Sequence, residues 1–204
     1  MEATGFDASQ FPPEGVPEIA VAGRSNVGKS TLINALLGTR LAHVGATPGK
    51  TRSVNFYSVE PTGEPVAGEP GGNARPFRLV DLPGYGYAER SKSERKAWSR
   101  LTSSYVEKRE SLILVCHLVD FRHGLLANDR ALQDWLSERG RAIMVLFTKA
   151  DKIPKSKRRA ALQQYVRDGL KSIDVPIVTS GEDRLGIHEL RIFLETRAAQ
   201  TPLH

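Results

Sequence analysis

The chain has 204 residues, 40% apolar and 25% charged, the proportions of one globular domain and not of a collagen, a coiled coil or a disordered chain. One cysteine, Cys116, excludes an internal disulfide and a cysteine-rich zinc site. Lys and Arg (29) outnumber Asp and Glu (23), a mild excess that suits a polyanionic partner without requiring one.

Residues 1–17 hold Pro12, Pro13 and Pro17 and no periodicity, so they read as a loose N-terminal arm. Their acidic start has no apolar core, so no secretory signal is expected. No run reaches the roughly 18 apolar residues of a membrane-spanning helix, so a cytoplasmic protein without a membrane partner is expected. Residues 18–204 read as a single domain. Glu18–Ala22 is a short apolar strand. A glycine loop follows, then a helix over Ser30–Leu37 with Leu32, Ile33, Leu36 and Leu37 on one face and Gly38 as its stop. Val54–Val59 reads as a strand. Residues 60–76, with four prolines and four glycines, read as a long flexible hairpin insertion. Phe77–Val80 is the next strand. An irregular stretch from Tyr85 to Lys92 leads into an amphipathic helix ending near Lys108. Strands Leu112–Val119, Ala142–Phe147 and Val175–Thr179 then alternate with helices near Leu125–Arg139, Lys155–Lys171 and Ile187–Thr196. This alternation predicts an α/β fold: a mostly parallel six-stranded sheet with helices on both faces.

Gly23-Arg24-Ser25-Asn26-Val27-Gly28-Lys29-Ser30 is a complete G-x-x-x-x-G-K-[ST] pattern between a predicted strand and a predicted helix. Its backbone N–H groups and the helix N-terminus suit a phosphate chain. Lys29 is placed to reach the β- and γ-phosphates, and the Ser30 hydroxyl to ligate Mg²⁺. Asp81-Leu82-Pro83-Gly84 closes the strand Phe77–Val80. There Asp81 is suited to hold Mg²⁺ directly or through water, and Gly84 to offer its N–H to a γ-phosphate. Thr148-Lys149-Ala150-Asp151 closes the strand Ala142–Phe147. A carboxylate at Asp151 can accept from both N1–H and N2–H₂ of guanine, a donor pair that adenine lacks. The Lys149 stem can lie over the base while its ammonium braces the P-loop. Thr179-Ser180-Gly181 is expected to bring backbone N–H groups and the Ser180 hydroxyl near guanine O6.

Together with Thr47-Pro-Gly-Lys-Thr51, Asp81-Leu-Pro-Gly-Tyr-Gly-Tyr87 and Asp120-Phe-Arg-His123, these motifs resemble the EngB family. Its members are bacterial GTPases implicated in assembly of the large ribosomal subunit. The resemblance spans about residues 18–196. It implies a Ras-like P-loop GTPase fold, hydrolysis of GTP to GDP and phosphate, and GTP-dependent binding of the large ribosomal subunit or its precursor, through ribosomal RNA and proteins. A link to cell division or septation enters by the same route. By motif matching, Thr51 joins Ser30 on Mg²⁺, and Gly49, Lys50, Arg52 and Ser53 complete the switch I part of the nucleotide site. Lys29 and Thr51 then support catalysis, with the catalytic group itself unassigned.

Two departures stand out. Thr148 replaces the Asn of most GTPases, removing an amide that could bridge the P-loop and the base. Tyr85 stands where a Ras-like enzyme has the water-orienting Gln, so hydrolysis is expected to be slow until a partner completes the site. Asn26 stands where, by resemblance to several relatives, an Asn helps to coordinate K⁺; read on its own it is a turn residue. His117 reads as a core or edge histidine, His123 as part of a turn, His43 as solvated and Cys116 as a small buried hydrophobe. Tyr85 and Tyr87 read equally as a recognition patch and as packing. Two basic clusters, Lys155-Lys157-Arg158-Arg159 and Arg90-Lys92-Arg95-Lys96-Arg100, suit RNA phosphates. The first opposes the dipole of its own helix. A monomer is expected. Two alternatives stay open on the sequence: a GTP-dependent binding module with negligible turnover, and a nucleotide kinase.

Overall fold

The computed structural model describes residues 1–39, 42, 53–62, 75–85 and 92–201, with backbone alone over 92–99. Its elements are β1 (Ala3–Gly5), β2 (Glu18–Gly23), α1 (Lys29–Leu37), β3 (Val54–Val59), β4 (Phe77–Asp81), α2 (Lys92–Lys108) and β5 (Leu112–Asp120). These are followed by α3 (Ala127–Glu138), β6 (Ile143–Thr148), α4 (Lys155–Arg167), β7 (Ile177–Val178) and α5 (Ile187–Gln200). The sheet order is β1-β3-β4-β2-β5-β6-β7. β2, β4, β5, β6 and β7 run parallel, while β3 is antiparallel to β4 and β1 antiparallel to β3.

The alternation of side chains along each strand builds two cores. Ile19 and Val21 of β2 face α1 and α5, together with Leu79, Leu118, Leu146 and Leu190. Ala20 and Ala22 face the opposite way, with Val80, Tyr105, Val119, Leu136 and Phe147. Both faces are therefore covered, as the apolar runs of the parallel strands require. α4 is the exception among the helices: none of its residues is fully buried, and it rests on Ala161, Leu162 and Tyr165. No helix among the described residues is long and apolar enough to cross a membrane.

The sheet has seven strands rather than six. The extra strand lies in the arm expected to be loose. Ala3, Thr4 and Gly5 pair with Phe56, Asn55 and Val54. Phe11 packs on Phe56 and Tyr105 at ring distances of 5.3 and 5.8 Å. Two buried arginines hold the arm by its carbonyls: Arg109 donates to Pro12 O and Arg78 to Pro13 O, each at 2.6 Å. Both also meet the fully buried Glu18, Arg109 at 2.6 Å and Arg78 at 3.4 Å, and the Tyr105 hydroxyl adds a third donor at 3.0 Å. β7 is shorter than expected because Pro176 has no N–H to give the ladder and Val175 is exposed. The antiparallel β3 and β4 are the strands joined by the segment 60–76, of which 63–74 lie outside the described residues.

Candidate nucleotide site

The loops after β2, β4, β6 and β7 all leave the sheet at its carboxyl edge, beside the central strand β2, which has neighbours on both sides. This is where open α/β sheets form their ligand crevice. The first loop carries the complete P-loop pattern. Gly28 caps α1 with φ of 105°, a left-handed conformation that a side chain would strain. Asn26 is also left-handed, at φ 62°, and exposed. Val27 closes the turn by donating to Arg24 O. Lys29 is buried and its ammonium donates to Asp81 Oδ1. The two charges assigned to phosphate and Mg²⁺ thus lie together at the start of α1 and the end of β4, with Ser30 also in the first turn of α1. Leu82 is tied to β2 through Val21 O, and Pro83 and Gly84 follow. A Cβ on Gly84 would stand 3.3 Å from the backbone of Ser25, so glycine allows the two loops to touch. Gly49, Lys50, Thr51, Arg52, His43, Tyr87 and Arg90 lie outside the described residues, as do the side chains of Lys92, Arg95 and Lys96. Ser53 is buried and donates to Asn55.

At the other end is a cavity of about 280 Å³ lined by Gly28, Thr148, Lys149, Asp151, Thr179 and Gly181, all expected from the sequence. Ala150 is buried below it and donates to Thr179 O. The Lys149 ammonium reaches Asn26 O at 2.7 Å and Asp120 at 3.1 Å, which lays its stem along the cavity and braces the P-loop. Asp151 Oδ1 accepts from the Ser180 hydroxyl at 2.9 Å. That hydroxyl therefore orients the carboxylate, a role not read from the sequence. Lys152 sits 2.8 Å from Oδ2 but off the hydrogen-bond axis, and Oδ2, though buried, has no aligned donor. The Lys152 ammonium, then the Ser180 hydroxyl, holds the Asp151 carboxyl below its ordinary range.

The family model described as "50S ribosome-binding GTPase" matches residues 18–149. The chain is 41% identical over 184 residues to the probable GTP-binding protein EngB of Alkaliphilus metalliredigens, covering 89% of this chain and 81% of that one. With the EngB of Caldanaerobacter subterraneus it shares 40% over 194 residues, covering 94% and 93%. The chain belongs to the EngB family of GTP-binding proteins. Solved structures share the Ras-like fold. A probable EngB superposes with a TM-score of 0.62 at 22% identity, over 88% of this chain and 98% of that one. Aquifex aeolicus Era superposes with a TM-score of 0.72 at 21% identity, and the match spans 94% of this chain but 58% of the Era chain.

Both departures from the usual GTPase pattern have a structural counterpart. The Thr148 hydroxyl donates to Val27 O at 2.6 Å, so it bridges β6 to the P-loop although the amide is absent. Tyr85 turns inward. Its hydroxyl lies 2.7 Å from both His117 Nε2 and Asp129 Oδ1. Packing, not a recognition patch, is therefore the role of the Tyr85 ring. His117 is a fully buried β5 histidine, and Cys116 beside it is buried with its thiol pushed up to about 12. His123 is exposed in the turn after β5.

Sequence reasoning missed Arg122, Lys152 and Glu182 on the cavity wall and Asp129 behind the P-loop. Arg122 clasps Asp120 through two hydrogen bonds of 2.9 and 2.7 Å. Burial opposes ionisation of Asp120, but Arg122 and Lys149 outweigh it and hold its carboxyl below the ordinary range. A signal for Asp129 was present: it stands at the third helical position after Leu126 and takes that residue's N–H at 2.9 Å.

Proposed function

We propose that this chain binds GTP with Mg²⁺, hydrolyses it slowly to GDP and phosphate, and uses the two states to bind and release the large ribosomal subunit or its precursor. The observation that carries the nucleotide reading is Asp151. A buried carboxylate oxygen without an aligned donor faces a cavity whose other wall is the Lys149 stem. Guanine N1–H and N2–H₂ supply the missing donors. Backbone N–H groups of Asn26 and of Gly28–Ser30, with the Lys29 ammonium, hold the phosphates, and Gly84 offers its amide to the terminal one. Gly23, Arg24 and Val27 shape that loop, and Leu82 and Pro83 carry Gly84 to it. The donor set fits Mg²⁺: the Ser30 hydroxyl, Thr51 and, through water, the Asp81 carboxylate are hard oxygens of the kind it takes. Held there, Mg²⁺ would supply positive charge against the phosphates. Asn26, exposed at the left-handed corner of the P-loop, is the side chain that would take K⁺.

The ribosomal part rests on the family and on charge. The family model is described as ribosome-binding, and an Era structure with the same fold contains nucleotides of 16S ribosomal RNA. Lys155, Lys157 and Arg159 at the start of α4 have no ion-pair partner among the described residues, and the helix start has no side-chain cap. Cations there oppose the helix dipole, so RNA phosphates rather than helix stability account for them. A link to cell division rests on the family resemblance alone, and a cytoplasmic setting on the sequence expectation.

The inward turn of Tyr85 favours a second reading, a nucleotide-dependent binding module whose own turnover is negligible, because no group at that position faces the phosphates. Single-turnover hydrolysis of GTP and ATP, with and without large subunits and in K⁺ against Na⁺, separates the readings. GTP-only hydrolysis raised by subunits and by K⁺ is expected. Equal hydrolysis of ATP would sink the base assignment, and no hydrolysis under any condition would leave the binding module.

A further inference from the structure

Tyr85 follows Gly84 directly and joins the P-loop by two long backbone bonds. Its N–H reaches Gly23 O at 3.3 Å and its carbonyl accepts from Ser25 N–H at 3.2 Å. These are weak. The side-chain bonds of the same residue are short, 2.7 Å each, and lie in a buried pocket where a polar contact is worth more.

The proton directions in that pocket follow from its outermost member. Gln133, one turn after Asp129 on α3, accepts the Lys171 N–H on Oε1 at 3.1 Å. Its amide nitrogen, 3.2 Å from His117 Nδ1, is therefore the donor there. A histidine accepting at Nδ1 is neutral and carries its proton on Nε2, which it donates to the Tyr85 hydroxyl oxygen. The Tyr85 proton then goes to Asp129 Oδ1. Asp129 Oδ2 is taken by Leu126 N–H, and Arg24 of the P-loop adds its charge 3.5 Å from Oδ1. The Lys171 N–H, the Gln133 amide, His117 Nε2 and the Tyr85 hydroxyl thus donate in turn toward Asp129. Burial, then the Asp129 carboxylate, pushes the Tyr85 hydroxyl far above the usual tyrosine range, so it stays a donor.

We propose that Tyr85 is a positioning residue, and that Asp129, His117 and Gln133 form its receptor, which fixes the Gly84 amide against Ser25 of the P-loop. This rests on the reading that Gly84 meets the terminal phosphate of GTP. The pre-set amide then favours GTP and its transition state, where negative charge builds on that phosphate, over GDP, which has no group there. The receptor also ties the phosphate end of the site to α3 and to the loop after α4.

The test is Tyr85→Phe, which keeps the ring and removes the donor. GDP affinity should stay within twofold. Affinity for a non-hydrolysable GTP analogue and the single-turnover rate should each fall about tenfold, since both hydrogen bonds of the hydroxyl are lost and each is worth roughly threefold. Asp129→Asn should act in the same direction, and the double variant should fall no further than the worse single one, since both cut one connection. A Tyr85→Phe variant with unaltered GTP-analogue affinity and rate, or with GDP affinity lowered equally, overturns the proposal. If Asp129→Asn does not fold, the Tyr85→Phe comparison of GDP with GTP analogue decides alone. Failure of the wild-type chain to hydrolyse GTP would count against the proposed function, not against the receptor, whose analogue-to-GDP ratio is read without turnover.

Discussion

Replacing Asp151 by Asn changes one atom, and the structure indicates which. Asp151 Oδ1 accepts from the Ser180 hydroxyl, so the substituted amide keeps its oxygen on that side. Its NH₂ then takes the place of Oδ2 and faces the cavity, a donor opposite the donors of guanine. Two hydrogen bonds to a charged acceptor are lost, and a donor–donor contact replaces them. At about 1.5–3 kcal/mol for each charged bond, the loss is roughly 3–6 kcal/mol. That corresponds to a fall of about 10²–10⁴-fold in GTP affinity. Xanthine carries a carbonyl where guanine has its amino group, so xanthosine triphosphate should gain as GTP loses. Competition of GTP, XTP and ATP against a fluorescent guanine nucleotide on the wild type, and against a fluorescent xanthine nucleotide on Asp151→Asn, gives both shifts. A folded variant with GTP affinity within threefold of wild type and no gain for XTP would refute the assignment of the base pocket.

Arg109→Met strips the main partner from the fully buried Glu18 and should cost about 3–5 kcal/mol in urea unfolding; a loss under about 1 kcal/mol would show that Arg78 and Tyr105 suffice. Neutralising Lys155, Lys157, Arg158 and Arg159 should lower the salt dependence of ribosomal-particle binding by about one unit of slope per cation while GTP affinity holds; an unaltered slope would make α4 a solvated face. Asp120 is held below its ordinary 3.8 in the folded chain, so its contribution to stability is present above that pH and lost as pH falls through the lower folded value. The stability gap between wild type and Asp120→Asn should therefore be full at pH 7 and shrink below about pH 4; a gap that widens on acidification would reverse the sign of the argument.

The parts of the fold that were legible in the sequence are those written locally. The apolar runs of β2, β5 and β6 and the punctuation around Gly28 and Gly38 fall within a residue or two of the observed elements. The P-loop and Thr148–Asp151 are read for the same reason, because each is a contiguous run of residues at the end of an apolar strand. β1 was not legible. It is three residues long, carries no alternation, and is held by Arg78 and Arg109, which lie 65 and 97 positions from the prolines they grip. The Tyr85 receptor was hidden likewise, since Tyr85, His117 and Asp129 come from three elements and none has a partner nearby in sequence. The Thr148 exchange looked like a loss because the sequence shows the missing amide but not Val27 O, 121 residues away, which the hydroxyl reaches.

The two ends of the sheet treat buried charge in opposite ways, and the contrast bears on where the ligand goes. At the amino end of β2, Glu18 is surrounded by donors from Arg109, Arg78 and Tyr105, so the cluster is closed and needs nothing more. At the carboxyl end, Asp151 Oδ2 and Arg24 Nε are both buried without a hydrogen-bond partner. Three further such atoms among the described residues, on Arg75, Thr102 and Arg197, line no part of the cavity. An unpaired buried polar group costs roughly 1–3 kcal/mol. Asp151 differs from those three in lining the cavity, and the Lys152 ammonium, 2.8 Å from Oδ2, pairs with it off the hydrogen-bond axis, so a bound molecule can still bring that oxygen aligned donors. On the proposed reading that molecule is guanine, with two adjacent donors, and the carboxylate then acts as a specificity device.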